Sequence, residues 1–251
     1  MKIKNIVATL FFEKELAPRN YINQIEATFP ERFNRPFNPQ PIPNDAPAMI
    51  PRITMNSKDG LENLMISQIN MQYNILFKEE ITNIEAVIDQ YKEDILTIYN
   101  AIKNQMNKNA YYFGISAIIE KDSEDPIGEI KNEYLSKLDD NTTELNIRYG
   151  IKEDNKYYIN YLINNSREVS ANITLPHGTH EINMEILSTS KFKEVRHFIQ
   201  KTIDVNDKLA FNEDENYRTS EKEITNVMEK LKEKLTDERR GKKIRNPGSG
   251  S

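Results

Sequence analysis

The pattern of apolar and polar positions switches repeatedly between a period of two residues and a helical period. Alternation predicts strands over residues 2–12, 52–56, 63–76 and 111–120. A stripe of apolar side chains, mostly isoleucine, at spacings of three and four residues predicts a long amphipathic helix over residues 79–106. The first half of the chain is therefore expected to run from a strand through a short helix and a hairpin into a long helix.

The second half follows a similar order. Asp125-Pro126 is a good helix start after the strand at 111–120, because aspartate caps a helix and proline suits its first position. Ser220 to Glu223 is a capping box before a final apolar stripe. Between these helices, alternation predicts strands around residues 145–151, 157–163, 169–175, 182–186 and 199–205. We predict an α+β fold of largely antiparallel sheets, with long amphipathic helices packed on one face and a possible structural duplication.

The predicted organisation has an N-terminal α+β half (1–108), a C-terminal α+β half (109–238) and a basic, Gly/Ser-containing tail (239–251). Seven of the 11 prolines fall in residues 30–51, which we call the Pro-rich arm. Because proline lacks a backbone donor, this segment is not expected to be a ladder strand. Its apolar side chains favour an ordered arm laid over the body; a disordered loop and a proline-rich ligand for a partner domain are the alternatives.

Composition narrows the function classes. The 251-residue chain has a net charge of −5 and no cysteine, which excludes a disulfide framework, a thiolate zinc site and a cysteine nucleophile. An acidic balance argues against bulk affinity for nucleic acid or an anionic membrane. No apolar run approaches the roughly 20 residues that a membrane-spanning helix needs. We expect a cytoplasmic protein that does not bind membranes.

Candidate chemistry is sparse. His177 and His180 form the closest histidine pair, and together with a nearby carboxylate they are weak candidates for a metal site. The alternative is a polar turn, because Pro176 and Gly178 favour a loop. No glycine-rich phosphate loop or nucleophile-elbow serine is present. The sequence therefore predicts no catalytic residue and no cofactor.

One local excess of positive charge stands out near the C-terminus. Cations at the end of a helix stabilise its dipole, and they also suit an acidic partner or a nucleic-acid backbone. We take these residues as candidates for partner binding: Arg239, Arg240, Lys242, Lys243 and Arg245.

Several short motifs along the chain carry a family resemblance. They are an aromatic-Pro pair at Phe29-Pro30, an Arg-led strand and turn (Arg52 and Ser57 to Gly60), Tyr91 in the long helix, Ile203 to Asn206, and Leu235 to Glu238. With these motifs the chain resembles a sporadically distributed, uncharacterised bacterial family of similar length. The resemblance implies no activity, cofactor or site residue.

These observations favour a non-catalytic, cytoplasmic protein-interaction or assembly protein, because alternating strands leave sheet edges that can pair with another chain. Its partner would be another protein or a second copy of itself, and nucleic acid is not expected. A link to mobile elements or phage defence is a further expectation. The alternatives are a metal-dependent hydrolase or nuclease and a nucleic-acid-binding module that uses the C-terminal basic cluster.

Overall fold

The computed structural model describes residues 1–29, 31–34, 38–135, 139, 141–171 and 192–241. The strands are β1 (Lys2–Phe12), β2 (Asn38–Pro39), β3 (Ile53–Asn56), β4 (Glu62–Ile66), β5 (Asn70–Leu76), β6 (Ala110–Asp122), β7 (Asn146–Glu153), β8 (Tyr157–Ala171) and β9 (Phe192–Asn206). The helices are α1 (Ile22–Thr28), which follows a 3-10 turn at Pro18–Tyr21, α2 (Ile84–Asn104), α3 (Pro126–Tyr134), α4 (Lys208–Glu213) and α5 (Glu221–Arg239).

All nine described strands belong to one antiparallel sheet, in the order β2-β3-β4-β5-β1-β6-β9-β8-β7. The two central strands, β1 and β6, come from different halves of the chain and pair over most of their length. The N-terminal half supplies one outer part of the sheet and the C-terminal half supplies the other. Each half of the chain therefore provides one of the two edges of the sheet: β2 in the N-terminal half and β7 in the C-terminal half.

The main core contains apolar side chains from the sheet and from α2 and α5. Ile88 and Ile95 of α2 and Leu231 of α5 are buried, as the spacing of their apolar stripes predicts. The Tyr91 hydroxyl donates to the Tyr73 carbonyl oxygen, and it accepts from the backbone N–H of Ala8 at 3.1 Å. The buried end of this tyrosine is thus paired, and it ties α2 to β1 and β5.

The predicted fold class is wrong. We expected several largely antiparallel sheets with long helices packed on one face and a possible structural duplication. The described part of the chain is dominated instead by a single sheet, with 38% of its residues in strands against 31% in helices. The reason is the pairing of β1 with β6, a long-range contact that joins the two halves into one sheet and that local periodicity does not reveal.

Some predicted elements also have different bounds. The expected strand at 63–76 is a hairpin of β4 and β5, because the Ser67 hydroxyl oxygen accepts from the backbone N–H groups of Ile69 and Asn70 and turns the chain. The strand expected at 169–175 is partly covered by the end of β8, whose described part stops at residue 171. The strand expected at 182–186 lies outside the described residues.

Candidate interaction edge

The N-terminal edge of the sheet is covered by the Pro-rich arm. β2 is two residues long and pairs with β3, and the backbone N–H of Gln40 donates to the Arg52 carbonyl oxygen at 2.9 Å. Pro39, Pro41 and Pro43 of this segment have no backbone N–H to offer to another strand. Short strands and prolines are two ways in which proteins protect a sheet edge from pairing with other chains.

Two arginines and one glutamine hold the described part of this arm through its backbone carbonyls. Arg19 donates to the carbonyl oxygens of Gln40 and Ile42. The fully buried Arg52 donates to those of Ile50 and Ala46 at 2.6 and 2.9 Å. In addition, the buried Gln68 side chain donates to the carbonyl oxygens of Leu16 and Asn44, at 3.0 Å each. These bonds satisfy carbonyls that an irregular segment cannot pair within a ladder.

A third arginine links the start of the arm to α2 and β4. The Arg32 guanidinium donates to both carboxylate oxygens of Asp94 at 2.5 and 2.8 Å, and its Nε donates to Glu62 at 2.6 Å. The Tyr73 hydroxyl donates to the same Glu62 carboxylate at 2.7 Å. Burial raises the pKa of Asp94, and the hydrogen bonds and charge of Arg32 counter this effect. Bidentate geometry of this kind makes the arm a fixed part of the fold.

The C-terminal edge is formed by β7, which has eight residues and pairs with β8. The backbone N–H of Asn165 donates to the Leu145 carbonyl oxygen, so the odd-numbered residues of β7 occupy the hydrogen-bonded positions of the antiparallel ladder. The even-numbered residues therefore direct their N–H and C=O groups away from the sheet: Asn146, Arg148, Gly150 and Lys152. In the part of the chain that the structure describes, no strand pairs with this side of β7.

The side chains of the same even-numbered residues are exposed, and two of them carry positive charge. Neither Arg148 nor Lys152 forms an ion pair with any described residue. The carboxylates at the end of β7 are already engaged, since Lys230 of α5 lies 2.5 Å from Glu153 and 2.7 Å from Asp154. The Lys230 ammonium also holds the pKa of Asp154 below its usual value. The edge therefore presents two cations that form no ion pair with the described residues.

A carboxylate lies on β9, two strands in from this edge, on the same face of the sheet as these cations. The Asp204 carboxylate of β9 accepts from the side-chain amides of Asn160 and Asn206 at 2.8 and 2.7 Å. Burial raises the pKa of Asp204, whereas the two amides and the charge of Arg148 lower it. At Gly150, a Cβ would lie 2.8 Å from the Asn160 amide oxygen, so this glycine leaves room for the amide.

Beyond the edge of the sheet, β8 and β9 continue as a two-stranded ribbon, residues 165–171 and 192–197, which have no other described strand beside them. Val169, Phe192 and Val195 are exposed on this ribbon, with Phe192 54% exposed. Arg196 fixes the base of the ribbon through Glu120, at 2.9 Å, and Asp122. Since an isolated two-stranded ribbon is only marginally stable in water, exposed apolar side chains on it suit contact with another molecule.

Of the residues predicted from the sequence to be functional, the structure describes Arg239 and Arg240. His177 and His180 lie outside the described residues, as do Lys242, Lys243 and Arg245. Arg239 and Arg240 lie at the end of α5, where the Arg239 guanidinium donates to the Thr82 carbonyl oxygen at 2.7 Å and the Arg240 backbone N–H caps the helix. Among the described residues, no three His, Asp or Glu side chains are grouped to hold a metal ion.

Sequence reasoning identified β7 as a strand but did not single out Arg148, Gly150 or Lys152. The signal that was available is the alternation itself, which places these three residues on one face of a strand that contains no proline. The missing information was the position of the strand at the edge of the sheet, which depends on pairings between residues distant in sequence.

In comparisons with known proteins, no protein-family model and no curated protein matches this chain. The family resemblance stays a prediction. Within the described part of the chain, every helix is too short or too polar to cross a membrane.

Proposed function

We propose that this chain is a non-catalytic protein-interaction or assembly protein that binds its partner by strand addition at β7. The observation that carries the proposal is the open edge of β7, where four residues turn their backbone donors and acceptors outward. In strand addition, main-chain hydrogen bonds supply affinity and alternate side chains supply specificity. The exposed apolar side chains of the β8–β9 ribbon provide a second contact surface in the same half of the chain.

The contrast between the two sheet edges supports the proposal. The N-terminal edge is covered by a short strand and by the Pro-rich arm, whose backbone carbonyls accept from three side chains. The C-terminal edge has neither feature among the described residues. A protein that protects one edge and leaves the outer side of an eight-residue strand unpaired at the other has a surface suited to pairing. As part of this proposal, the protein works in the cytoplasm; a link to mobile elements or phage defence stays a prediction.

The two alternative functions have less support among the described residues. For a nucleic-acid module, Lys242, Lys243 and Arg245 of the basic cluster lie outside the described residues, and the Arg239 guanidinium donates to the Thr82 carbonyl oxygen. For a metal-dependent hydrolase, the candidate residues His177 and His180 lie outside the described residues. We therefore design the test around the edge.

Gly150 allows a matched pair of variants. Gly150→Pro removes an outward backbone N–H, whereas Gly150→Ala retains this N–H and adds a similar Cβ near the Asn160 amide. Immobilised wild-type chain and both variants are incubated with lysate of the native host, and captured proteins are quantified by mass spectrometry. We expect one protein to be captured by the wild type and Gly150→Ala and to be lost with Gly150→Pro.

Both variants must also remain folded, and thermal unfolding checks this. Because the Gly150 N–H makes no bond within the sheet, we expect Gly150→Pro to unfold as a cooperative unit like Gly150→Ala. Equal capture of the same proteins by the folded Gly150→Pro variant would contradict strand addition at β7.

A further inference from the structure

The charged and apolar side chains of β7 indicate which kind of strand this edge would accept. We infer that the partner of β7 is an extended segment of another protein in which acidic side chains alternate with apolar ones. This inference rests on the proposed strand addition and adds the character of the partner to it.

The first step concerns the two faces of the added strand. Side chains on a strand alternate between the faces of a sheet, and a strand beside β7 continues that alternation. On one face it would lie next to Arg148 and Lys152, which are exposed and have no described ion-pair partner. On the other face it would lie next to Ile147, Tyr149 and Ile151, which are half-buried.

The second step is charge complementarity on the first face. Opposite charges on directly paired positions of an antiparallel ladder stabilise the pair, and like charges destabilise it. Among the described carboxylates, Glu153 and Asp154 are bound to Lys230, and Asp204 accepts from two amides and forms no ion pair with Arg148 or Lys152. Two carboxylates four residues apart on the partner strand would lie directly opposite the two cations of β7.

The third step is the apolar face. Tyr149 stacks on Tyr161 with ring centroids 4.8 Å apart, and Ile147 and Ile151 flank it along the strand. All three remain half-buried, and no described strand lies beyond them on the outer side of β7. An apolar side chain on the added strand would cover the outer flank of this row and remove more apolar surface from water.

A second copy of the chain is disfavoured in the two registers that centre on the middle of β7. If two β7 strands pair antiparallel about Gly150, Arg148 of one copy lies directly opposite Lys152 of the other. If they pair about Tyr149, the same two residues lie on a diagonal. Both arrangements place like charges next to each other, which is a recognised way of preventing edge-to-edge association. The same cations that disfavour self-pairing therefore favour an acidic strand.

The test begins with a random octapeptide library displayed on phage and selected against the wild-type chain. The most enriched sequence is then synthesised in two forms, one with its acidic residues and one with Glu→Gln and Asp→Asn replacements. Their affinities are measured for the wild type, for the double variant Arg148→Glu with Lys152→Glu, and for Gly150→Pro. Thermal unfolding confirms that each variant is folded.

We expect acidic residues at alternate positions of the enriched peptides, and an affinity about fivefold to tenfold higher for the acidic form than for its amide form on the wild type. The charge-reversed variant should lose or invert this preference, and Gly150→Pro should bind neither form. Two results would overturn this inference while leaving strand addition intact. In the first, peptides whose binding is lost with Gly150→Pro show no enrichment of acidic residues; in the second, the acidic and amide forms of such a peptide bind the wild type equally well.

Two further outcomes distinguish strand addition at β7 from peptide binding elsewhere and from nucleic-acid binding. A selection that yields no peptide, or peptides that bind Gly150→Pro as well as the wild type, would overturn the proposed function itself. Single-stranded DNA or RNA oligonucleotides are measured in parallel. Tight oligonucleotide binding that the charge-reversed variant abolishes, with no binding of acidic peptides, would assign Arg148 and Lys152 to nucleic acid and would overturn the inference.

Discussion

At one edge of the sheet the outer strand is two residues long and is followed by prolines, whereas at the other edge β7 runs for eight residues without a proline. The first edge is further held by Arg19, Arg52 and Gln68, which donate to the carbonyls of the Pro-rich arm. The second edge carries two exposed cations and four outward-facing backbone groups of each kind. Side-chain hydrogen bonds therefore keep one edge covered, whereas the backbone groups on the outer side of β7 are left unpaired by the described strands.

Removing the Arg32 guanidinium should have the largest effect on the covered edge, because this side chain links the Pro-rich arm to α2 and β4. Arg32→Ala leaves Asp94 and Glu62 without their cation, and the side chains of Arg32 and Asp94 are 28% and 9% exposed. We expect a loss of about 3 kcal/mol in the free energy of unfolding, the lower end for breaking a buried ion pair. Urea-induced unfolding measures it.

The matched control is an exposed ion pair in the C-terminal half. Arg167 and Glu194 are 2.7 Å apart on the ribbon, with side chains 63% and 43% exposed. Arg167→Ala should change the free energy of unfolding by no more than about 0.5 kcal/mol. If the two substitutions cost the same, the Pro-rich arm is not fixed by Arg32 in the way described.

A smaller, pH-dependent effect distinguishes two aspartates, the buried Asp94 and the half-buried Asp204. Asp94 in the N-terminal half has an arginine partner, whereas Asp204 near the open edge is held by two neutral amides. Burial raises the pKa of Asp204, so its ionisation disfavours the folded state, and this cost is present above the folded-state pKa and disappears as the pH falls toward the usual value near 3.8.

Asp204→Asn should therefore gain stability relative to the wild type at pH 7.5, and this advantage should shrink at pH 4.5. Asp94→Asn at pH 7.5 serves as the comparison: burial raises the pKa of Asp94 as well, but this substitution also weakens the bidentate pair with Arg32, so it should gain less stability than Asp204→Asn. Urea-induced unfolding at both pH values measures the differences. An advantage of Asp204→Asn that grows as the pH falls would contradict the described environment of this carboxylate.

Local pattern predicted many of the elements but not the way in which they combine. The stripe of isoleucines predicted α2, and Ser57 to Gly60 predicted the β3–β4 turn, in which Gly60 has a φ of +71° that suits glycine. The turn between β4 and β5 was missed because the Ser67 hydroxyl makes it without glycine or proline. A side-chain hydrogen bond of this kind leaves the alternating pattern almost unbroken.

The candidate site was harder to predict than the elements. The alternation of Arg148, Gly150 and Lys152 was visible in the sequence, but their position at an edge depends on the order β6-β9-β8-β7. That order follows from pairings between residues far apart, such as Ile115 with Val205. The sequence pattern drew attention instead to charges and histidines, of which Arg239 is engaged with Thr82.

The most direct test of the open edge follows amide hydrogen exchange along β7 by NMR in the isolated protein. The account predicts an alternation, with rapid exchange at Arg148, Gly150 and Lys152 and slow exchange at Tyr149 and Ile151, whose N–H groups bond to β8. Uniformly slow exchange at all five amides would show that the edge is already covered, and it would contradict the central claim that β7 is free to accept a partner strand.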